Sequence, residues 1–428
     1  MTIPELYELY LQHPAVTTDS RKCRPGAIFF ALQGESFDGN SYAPAALQAG
    51  CAYAVIDRPE VKTDDRMILT DDVLTTLQEL AGHHRQTLGL TVIGITGTNG
   101  KTTTKELLAA TLATKYRLLS TSGNLNNHIG VPLTLLGLTH EHDMAVVEMG
   151  ANHPGEIEAL ARIARPDYGL ITNVGCAHLE GFGSPEGVLR TKGELYDYLR
   201  LTHGKVFIHK ENTALQSIVR ELEQITYGER DGADVSGRMI DCRPFLRLQW
   251  THKGVDYTLS TRLVGDYNLP NVLAAITAGC YFGVPPGEIN RAIAAYEPAN
   301  NRSQWKTTAS NELIIDAYNA NPSSMKAALL NFAALPVRPK AVILGDMLEL
   351  GVGAPAFHAE VVTQLRSAGF EQVFLCGKQY TAAGSRFYPC FPDVEALNDY
   401  LSGHPLRRHH VLLKGSHGIH LEKVIDRL

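Results

Sequence analysis

A glycine-bracketed turn followed by a lysine and a threonine is the segment whose residue types most clearly fit a chemical task. It follows an apolar, β-branched run at 91–96 and precedes leucines at helical spacing. Glycines let a backbone wrap an anion with its N–H groups pointing inward, and the start of a helix adds positive potential. A lysine there supplies charge for terminal phosphates, and a threonine hydroxyl can hold Mg²⁺. The pattern predicts a nucleoside triphosphate site formed by Gly97, Thr98, Asn99, Gly100, Lys101, Thr102 and Thr103.

A carboxylate closes the next strand-like run, at 143–148. Glu148 follows mostly apolar residues and precedes a Gly-Ala turn. Ligands in open α/β sheets gather at the carboxyl ends of strands. We therefore expect Glu148 to bind a metal ion beside the phosphate loop, the alternative being a solvated carboxylate at the end of a strand.

Other polar residues have positions that leave ordinary structural roles open. His178 lies in a glycine-rich loop after a strand, and Lys192 lies near the start of a helix. A histidine in a loop or a lysine on a helix is usually a surface residue. The Asn-rich stretch at 124–132 is ordinarily a turn, and Asp316 could be a local cap.

Composition narrows the class of protein. The 428 residues are enough for about three domains, with 44% hydrophobic and 20% charged residues. A formal charge of -6 gives no basic footprint for nucleic acid, and no apolar run is long enough to insert into a membrane. Seven scattered cysteines without a C-x-x-C pair, and an amino terminus unlike a signal peptide, favour a reducing cytoplasmic location.

Strand-like and helical runs alternate along the chain in three successive blocks. We expect a small α/β unit at 1–82, a central unit at 83–297 and a third at 298–428. The alternation predicts an α/β fold with mostly parallel sheets, the central one carrying the phosphate loop and the last doubly wound. A hairpin at 246–261 interrupts the pattern.

Several segments together resemble the Mur ligase family, and they occur in family order across nearly the whole chain. They are Asp19-Ser20-Arg21, the loop at 34–39, the short phosphate loop, Asn126-Asn127-His128-Ile129-Gly130-Val131-Pro132, Glu148-Met149-Gly150-Ala151-Asn152-His153, the loop at 177–184, Lys192-Gly193-Glu194, Asn268 to Asn271, Asp316 to Asn321, and Lys414-Gly415-Ser416.

The resemblance implies a three-domain, ATP-dependent, ADP-forming ligase that uses Mg²⁺. ATP would phosphorylate the terminal carboxylate of a UDP-sugar peptide, and an amine would then attack the acyl phosphate. The loops match most closely the member that joins D-alanyl-D-alanine to UDP-N-acetylmuramoyl-tripeptide, in peptidoglycan synthesis. A monomer without nucleic-acid partners is expected.

The resemblance also implies residue roles. The catalytic set would be Lys101, Glu148, His178 and Lys192. Thr102 and Glu148 would hold one Mg²⁺, while His178 would ligate a second, supported by a Lys192 that CO₂ has converted to a carbamate. The other nucleotide-binding residues would be Asn268 and Asn271 near adenine, Arg302 at the γ-phosphate, and Asp316 and Asn319 near ribose. Substrate would contact Ser20, Arg21, Ser36, Phe37, Asp38, Asn126, Asn127 and Asn321.

Three alternatives have distinguishable features. The family member that adds a third-position diamino acid to a UDP-N-acetylmuramoyl-dipeptide usually carries an Asn-Pro-Arg acceptor signature, which this sequence lacks. A folate polyglutamate ligase shares the style of phosphate loop, but the Asp-Ser-Arg segment at 19–21 argues against it. A nucleotide-binding protein without catalysis would not need Lys101, Glu148, His178 and Lys192 together.

Overall fold

The structure, a computed structural model, describes residues 1–175, 179–299 and 301–428. The predicted site residue His178 lies outside the described residues. Helices and strands fall around three main sheets, and the predicted three-unit α/β class is confirmed.

The first sheet has four parallel strands in the order β1-β2-β5-β6, with a separate two-stranded β3-β4 pair. Its elements are α1 Ile3–Gln12, β1 Val16–Thr17, β2 Ile28–Phe30, β3 Gln33–Gly34, β4 Phe37–Asp38, α2 Ala43–Gln48, β5 Tyr53–Ile56, β6 Met67–Leu69 and α3 Val73–Leu88.

The central sheet has nine strands in the order β15-β14-β13-β12-β11-β10-β7-β9-β8. Its elements are β7 Thr91–Thr96, α4 Lys101–Leu112, β8 Leu118–Ser120, α5 Gly130–Leu135, β9 Met144–Glu148, α6 Glu156–Ala164, β10 Tyr168–Ile171, α7 Leu179–Phe182, α8 Pro185–Thr202, β11 Lys205–His209, α9 Thr213–Val219, β12 Glu223–Gly228, β13 Val235–Cys242, β14 Phe245–His252, β15 Val255–Val264, α10 Leu269–Tyr281 and α11 Pro286–Ala295.

The third sheet has six strands in the order β16-β17-β21-β18-β19-β20, parallel except for the β16-β17 pair. Its elements are β16 Gln304–Thr307, β17 Glu312–Asp316, α12 Pro322–Ala334, β18 Lys340–Gly345, α13 Ala354–Ala368, β19 Gln372–Cys376, α14 Lys378–Gly384, β20 Cys390–Phe391, α15 Val394–Gly403 and β21 His410–Lys414.

The central sheet places the predicted chemistry at one edge. Strand β7 pairs in parallel with β9 on one side and with β10 on the other. Their carboxyl ends therefore meet beside the phosphate loop, as the sequence pattern predicts. The predicted hairpin is also present, since β14 and β15 pair antiparallel. Strand β13 precedes this hairpin and pairs antiparallel with β14, and the sequence pattern did not predict it.

The first unit shares its core with the central one. Leu6 of α1, Phe30 of β2, Leu80 of α3 and Val147 of β9 belong to one continuous cluster of buried apolar side chains. Helix α3 contributes to this cluster and runs from Val73 to Leu88, so the predicted boundary after residue 82 falls inside a continuous helix. The first unit is therefore packed against the central one rather than joined to it by a flexible linker.

A buried tyrosine hydroxyl helps to fasten the first unit. Tyr10 of α1 is 2% exposed, and its hydroxyl donates to the backbone carbonyl oxygen of Leu136 in the central unit. His84 of α3 lies beside it, with Nε2 3.4 Å from the same hydroxyl.

The Tyr10→Phe variant should lower the free energy of unfolding by about 1–3 kcal/mol, because the buried Leu136 carbonyl loses its donor. Urea denaturation followed by circular dichroism measures this change. Tyr42→Phe is the matched control, since Tyr42 is 47% exposed. Equal stability of the two variants would show that the Tyr10 hydroxyl does not fasten the units.

Candidate active site

A cleft of about 750 Å³ opens between the central and third sheets. From the central unit it is lined by the phosphate loop, the end of β9 and the start of α10, and from the third unit by the segments after β17 and β21. The predicted site residues that line it are Thr98, Asn99, Gly100, Lys101, Thr102, Thr103, Asn126, Asn127, Glu148, Asn268, Asn271, Arg302, Asp316 and Asn319.

Two glycines shape the phosphate loop. Gly97 has φ +138° and Gly100 has φ +80°, conformations that side chains of L residues rarely adopt. A Cβ at Gly97 would also collide with the hydroxyl of Thr172 at the end of β10, and one at Gly100 would lie 2.7 Å from Asn271 Oδ1. The loop therefore needs glycine at both positions to turn between β7 and α4.

The lysine of the loop is held by the loop itself. Lys101 Nζ donates to the carbonyl oxygens of Gly97, at 2.7 Å, and Thr98, at 3.2 Å. Desolvation by the surrounding protein lowers the pKa of Lys101, while the nearby Glu148 carboxylate opposes the shift and the Arg302 guanidinium adds to it. An anion in the cleft would favour the charged form of this lysine.

Oxygen and amide groups meet at the end of β9. Glu148 is 1% exposed, and its Oε1 accepts from Thr102 Oγ1 at 3.2 Å and from Asn126 Nδ2 at 2.9 Å. Its Oε2 is buried with no hydrogen-bond partner in the described parts of the chain. A carboxylate oxygen without a donor beside a hydroxyl is the kind of hard oxygen set that suits Mg²⁺.

Lys192 lies on α8, is 1% exposed and is not part of the cleft lining. Its Nζ donates to the carbonyl oxygen of Ala151 at 3.3 Å and lies 5.0 Å from the centre of the Phe182 ring. Burial, with a smaller effect of the positive Lys101, lowers the pKa of Lys192 to about 7, against the opposing influence of Glu156 and Glu194. A substantial fraction of the Lys192 side chain is therefore the neutral amine near neutral pH.

Charged groups of the third unit face the phosphate loop. The Arg302 guanidinium carbon lies 3.7 Å from the centre of the Tyr318 ring, which orients the side chain by a cation–π contact. Lys414 is 1% exposed, and its Nζ donates to Asp316 Oδ2 and, at 3.3 Å, to the carbonyl oxygen of Asn319. The Asp316 carboxylate is thus fixed at the end of β17.

An asparagine bridge connects the phosphate loop with the third unit. Asn321 Nδ2 donates to Asn99 Oδ1 at 2.8 Å, and Asn99 Nδ2 donates to Ser323 Oγ at 3.2 Å. Asn321 also caps α12, because its Oδ1 accepts from the backbone of Ser324 at 2.9 Å. The side chain predicted to contact substrate is therefore engaged in capping and in the bridge, and it does not line the cleft.

The asparagines predicted near adenine are buried at the start of α10. Asn268 Nδ2 donates to the Val264 carbonyl oxygen, and Asn271 Nδ2 donates to Asn268 Oδ1, both at 2.9 Å. These bonds leave the Asn271 Oδ1 close to Gly100 in the phosphate loop.

The residues predicted to hold the UDP end lie apart from the cleft lining. Arg21 pairs with Asp19 through Nε at 2.9 Å and is highly exposed, and Phe37 is 54% exposed. Asp38 accepts from Asn40 Nδ2 at 2.9 Å and pairs with Arg58 Nε at 3.2 Å. Neither Ser20 nor Ser36 is a cleft residue. A ligand that touches both places must extend from the first unit to the cleft.

Three further residues that line the cleft and contact other cleft residues were not predicted. Tyr318 orients Arg302, Tyr267 bonds to Ser303 at 3.0 Å, and the side-chain oxygen of Asn173 accepts from the backbone of Asn99 at 3.0 Å. Asn173 follows a strand that ends at this edge of the sheet, so its position in the sequence could have indicated a site residue. No sequence pattern indicates the two tyrosines, because their contacts depend on how the units pack.

Removing the bridge should weaken ATP binding. Asn99→Ala deletes two hydrogen bonds to the third unit. At about 1 kcal/mol per bond, we expect about a 30-fold higher Kd for a non-hydrolysable ATP analogue. Ser323→Ala is the matched comparison, because it leaves the Asn321–Asn99 bond intact, and its effect should be smaller. Isothermal calorimetry measures both values. An unchanged Kd for Asn99→Ala, or the reverse order, would contradict a binding role for the bridge.

Comparisons with known proteins identify the family of the chain. Three protein-family models match successive stretches of the chain: the Mur ligase family catalytic domain at 14–85, the Mur ligase middle domain at 95–279, and the Mur ligase glutamate ligase domain at 301–417.

Whole-chain likenesses extend this result. The chain is 36% identical over 434 residues to the UDP-N-acetylmuramoyl-tripeptide--D-alanyl-D-alanine ligase of Bacillus subtilis, covering 99% of this chain and 94% of the relative. It is similar to a crystal structure of MurF from Acinetobacter baumannii, with a TM-score of 0.89, 29% identity and coverage of 99% and 98%. It is also similar to the MurF ligase of Thermotoga maritima in complex with ADP, with a TM-score of 0.87, 26% identity and 97% coverage of both chains. The three matching domains and the full-length likeness show that the chain belongs to the Mur ligase family.

Proposed function

We propose that this chain is the ATP-dependent ligase that joins D-alanyl-D-alanine to UDP-N-acetylmuramoyl-tripeptide, forming an amide bond with release of ADP and phosphate. The observation that carries the proposal is the cleft in which the phosphate loop and Glu148 face Arg302 and Asp316 of the third unit. The Bacillus subtilis relative, similar over nearly the whole chain, bears the name of this activity. The product belongs to peptidoglycan precursor synthesis.

The phosphate loop supplies the binding of ATP. Its backbone N–H groups and the start of α4 suit an anion, and Lys101 can exchange its carbonyl partners for phosphate oxygens. Mg²⁺ would be held by Thr102 and Glu148, and it would neutralise the negative charge that accumulates on the phosphates.

The third unit contributes the other side of the nucleotide site. Arg302, oriented by Tyr318, would stabilise charge on the transferred phosphoryl group. Asp316, fixed by Lys414, would accept from a ribose hydroxyl, with Asn319 beside it. Asn268 and Asn271 would border the adenine from the central unit.

The acyl-transfer half of the reaction needs positioning more than covalent catalysis. Phosphorylation converts a poor electrophile, the peptide carboxylate, into one with a good leaving group, after which the amine needs only correct alignment. We propose that Asn126 and Asn127, which line the cleft, orient the peptide end of this substrate. The first unit, with Ser20, Arg21, Ser36, Phe37 and Asp38, would hold the UDP end.

Lys192 is proposed to be carbamylated. A buried, neutral amine reacts with CO₂ with loss of one proton, and the product is an anion that can support a second Mg²⁺. The family resemblance assigns His178 to that ion, and this histidine lies outside the described residues.

Fewer observations bear on the location and the oligomeric state of the protein. None of the described helices is both long and apolar enough to cross a bilayer. The described cysteines are all unpaired, which suits reducing conditions. We propose that the protein is cytoplasmic, since ATP and both proposed substrates are cytoplasmic metabolites. From the sequence we also propose a monomer with units at 1–82, 83–297 and 298–428, where the first boundary lies within α3.

The decisive experiment measures phosphate release with defined pairs of substrates. UDP-N-acetylmuramoyl-tripeptide plus D-alanyl-D-alanine should support turnover. The same UDP-peptide plus lysine or diaminopimelate should not. UDP-N-acetylmuramoyl-dipeptide with each free diamino acid forms the second arm. Turnover only in that second arm would reject the proposal and favour the preceding step of chain assembly.

Lys192→Ala should be nearly inactive and partly restored by a short carboxylic acid such as propionate. In the wild type, ¹³CO₂ should give a carbamate signal in ¹³C NMR that is absent from the variant. At a fixed CO₂ pressure this signal should rise between pH 6 and pH 8, because only the deprotonated amine reacts and the pKa of Lys192 is about 7. Lys306→Arg, at an exposed position, is the control. Full activity of Lys192→Ala would rule out the carbamate.

A further inference from the structure

Two histidines and a glutamate lie together just after the last strand of the third sheet. A 3₁₀ turn, His417–Ile419, follows β21, and a second 3₁₀ segment begins at Leu421. We propose that His417, His420 and Glu422 bind a divalent transition-metal ion of the Zn²⁺ type, at a site separate from the residues assigned to Mg²⁺. This inference goes beyond the proposed function and does not depend on it.

The ligand atoms are already close to one another. One nitrogen from each histidine and a carboxylate oxygen all lie within 4.8 Å of one another. His420 Nδ1 is 3.2 Å from Glu422 Oε1. Ligands at about 2.0 Å from a tetrahedral zinc ion are separated by about 3.3 Å, so this pair fits without rearrangement. The ligand nitrogen of the exposed His417 lies within 4.8 Å of the other two ligand atoms, so it must move closer by up to about 1.5 Å to reach this tetrahedral spacing.

The backbone fixes this spacing. His420 caps the 3₁₀ turn His417–Ile419, and the rings of His417 and His420 lie edge to face with their centroids 5.5 Å apart. His420 N donates to the His417 carbonyl oxygen at 2.9 Å, and His420 has φ +59°, in the left-handed region. That conformation is unusual for a residue other than glycine, and it turns the chain so that Glu422 follows beside the ring.

The second carboxylate oxygen of Glu422, next to the one that lies near His420, is buried. Glu422 Oε2 is inaccessible to solvent and has no hydrogen-bond donor among the residues that the structure describes. A carboxylate oxygen in this state is costly unless a cation or donor completes it. Because the other two ligands are imidazoles, the site favours Zn²⁺, Co²⁺, Ni²⁺ or Cu²⁺ over Mg²⁺. Three protein ligands leave one tetrahedral position for water.

The site borders the nucleotide cleft. His417 lines the cleft, and its ring stacks on Tyr318 with centroids 5.6 Å apart and planes at 22°. Tyr318 is also the ring over which Arg302 lies. A metal ion bound to His417 would therefore fix one wall of the cleft without touching the phosphate loop.

Co²⁺ titration of the full-length, metal-free protein in excess Mg²⁺ tests the proposal. Excess Mg²⁺ would compete with Co²⁺ for the oxygen ligands of Thr102 and Glu148, to which the proposed function assigns Mg²⁺. Four-coordinate Co²⁺ absorbs visible light much more strongly than six-coordinate Co²⁺, so we expect an intense visible band that saturates at one equivalent and is displaced by Zn²⁺. Calorimetry with Zn²⁺ under the same conditions gives the Kd.

His420→Gln and Glu422→Gln should each remove the band and raise the Kd for Zn²⁺ at least 10-fold. His404→Gln, an exposed histidine of the same unit outside the cluster, should leave both unchanged. Circular dichroism confirms that each variant is folded. A wild type without the intense band, or a His420→Gln variant that binds Zn²⁺ as tightly as the wild type, would overturn the proposal. Because no substrate is used, this result is independent of the ligase assay.

Discussion

The cleft depends on a buried carboxylate that has one unpaired oxygen among the residues the structure describes. Glu148 is 1% exposed, and within that part of the chain only its Oε1 has hydrogen-bond donors, Thr102 and Asn126. Burying an anion in this state costs free energy unless a cation completes it. Strand β9 ends beside the phosphate loop, where a Mg²⁺ ion would supply the missing partner of this oxygen. Thr102, at the start of α4, already lies 3.2 Å from Glu148 and would contact the same ion.

Positive charge in and behind the cleft completes this arrangement. Lys414 is paired with Asp316, whereas Lys101 donates to backbone carbonyl oxygens. Desolvation lowers the pKa of Lys101 and also that of Lys192, so both favour the arrival of negative charge. A nucleoside triphosphate and an activated carboxylate both bring that charge. The electrostatics of the apoprotein thus prepare the site for its substrates rather than for its own stability.

Local sequence patterns predicted the parts of the site that one segment builds alone. The run at 91–96 is β7 as predicted, and the glycines of the phosphate loop adopt the positive φ angles that the motif needs. Glu148 could be placed because a carboxylate after an apolar strand has few other positions in an open sheet. The resemblance to a family supplied the remaining roles, and those of individual residues stay predictions.

Contacts between distant segments could not be predicted. Asn99 and Asn321 are 222 residues apart and form a bridge only because two sheets pack across the cleft. No periodicity or composition in the sequence predicts the stacking of Arg302 on Tyr318. The boundary between the first two units is also not visible in the sequence, because the apolar face of α3 packs against both units. These features arise from packing between units, which a single sequence does not encode in local spacing.

The path of one oxygen atom tests most directly whether the cleft activates a carboxylate with ATP. UDP-N-acetylmuramoyl-tripeptide labelled with ¹⁸O in its terminal carboxylate should transfer one labelled oxygen to the inorganic phosphate released during ligation with D-alanyl-D-alanine. Mass spectrometry of the phosphate measures this transfer. The account predicts phosphate with one ¹⁸O and ADP as the nucleotide product. Unlabelled phosphate, or label recovered in AMP, would contradict it.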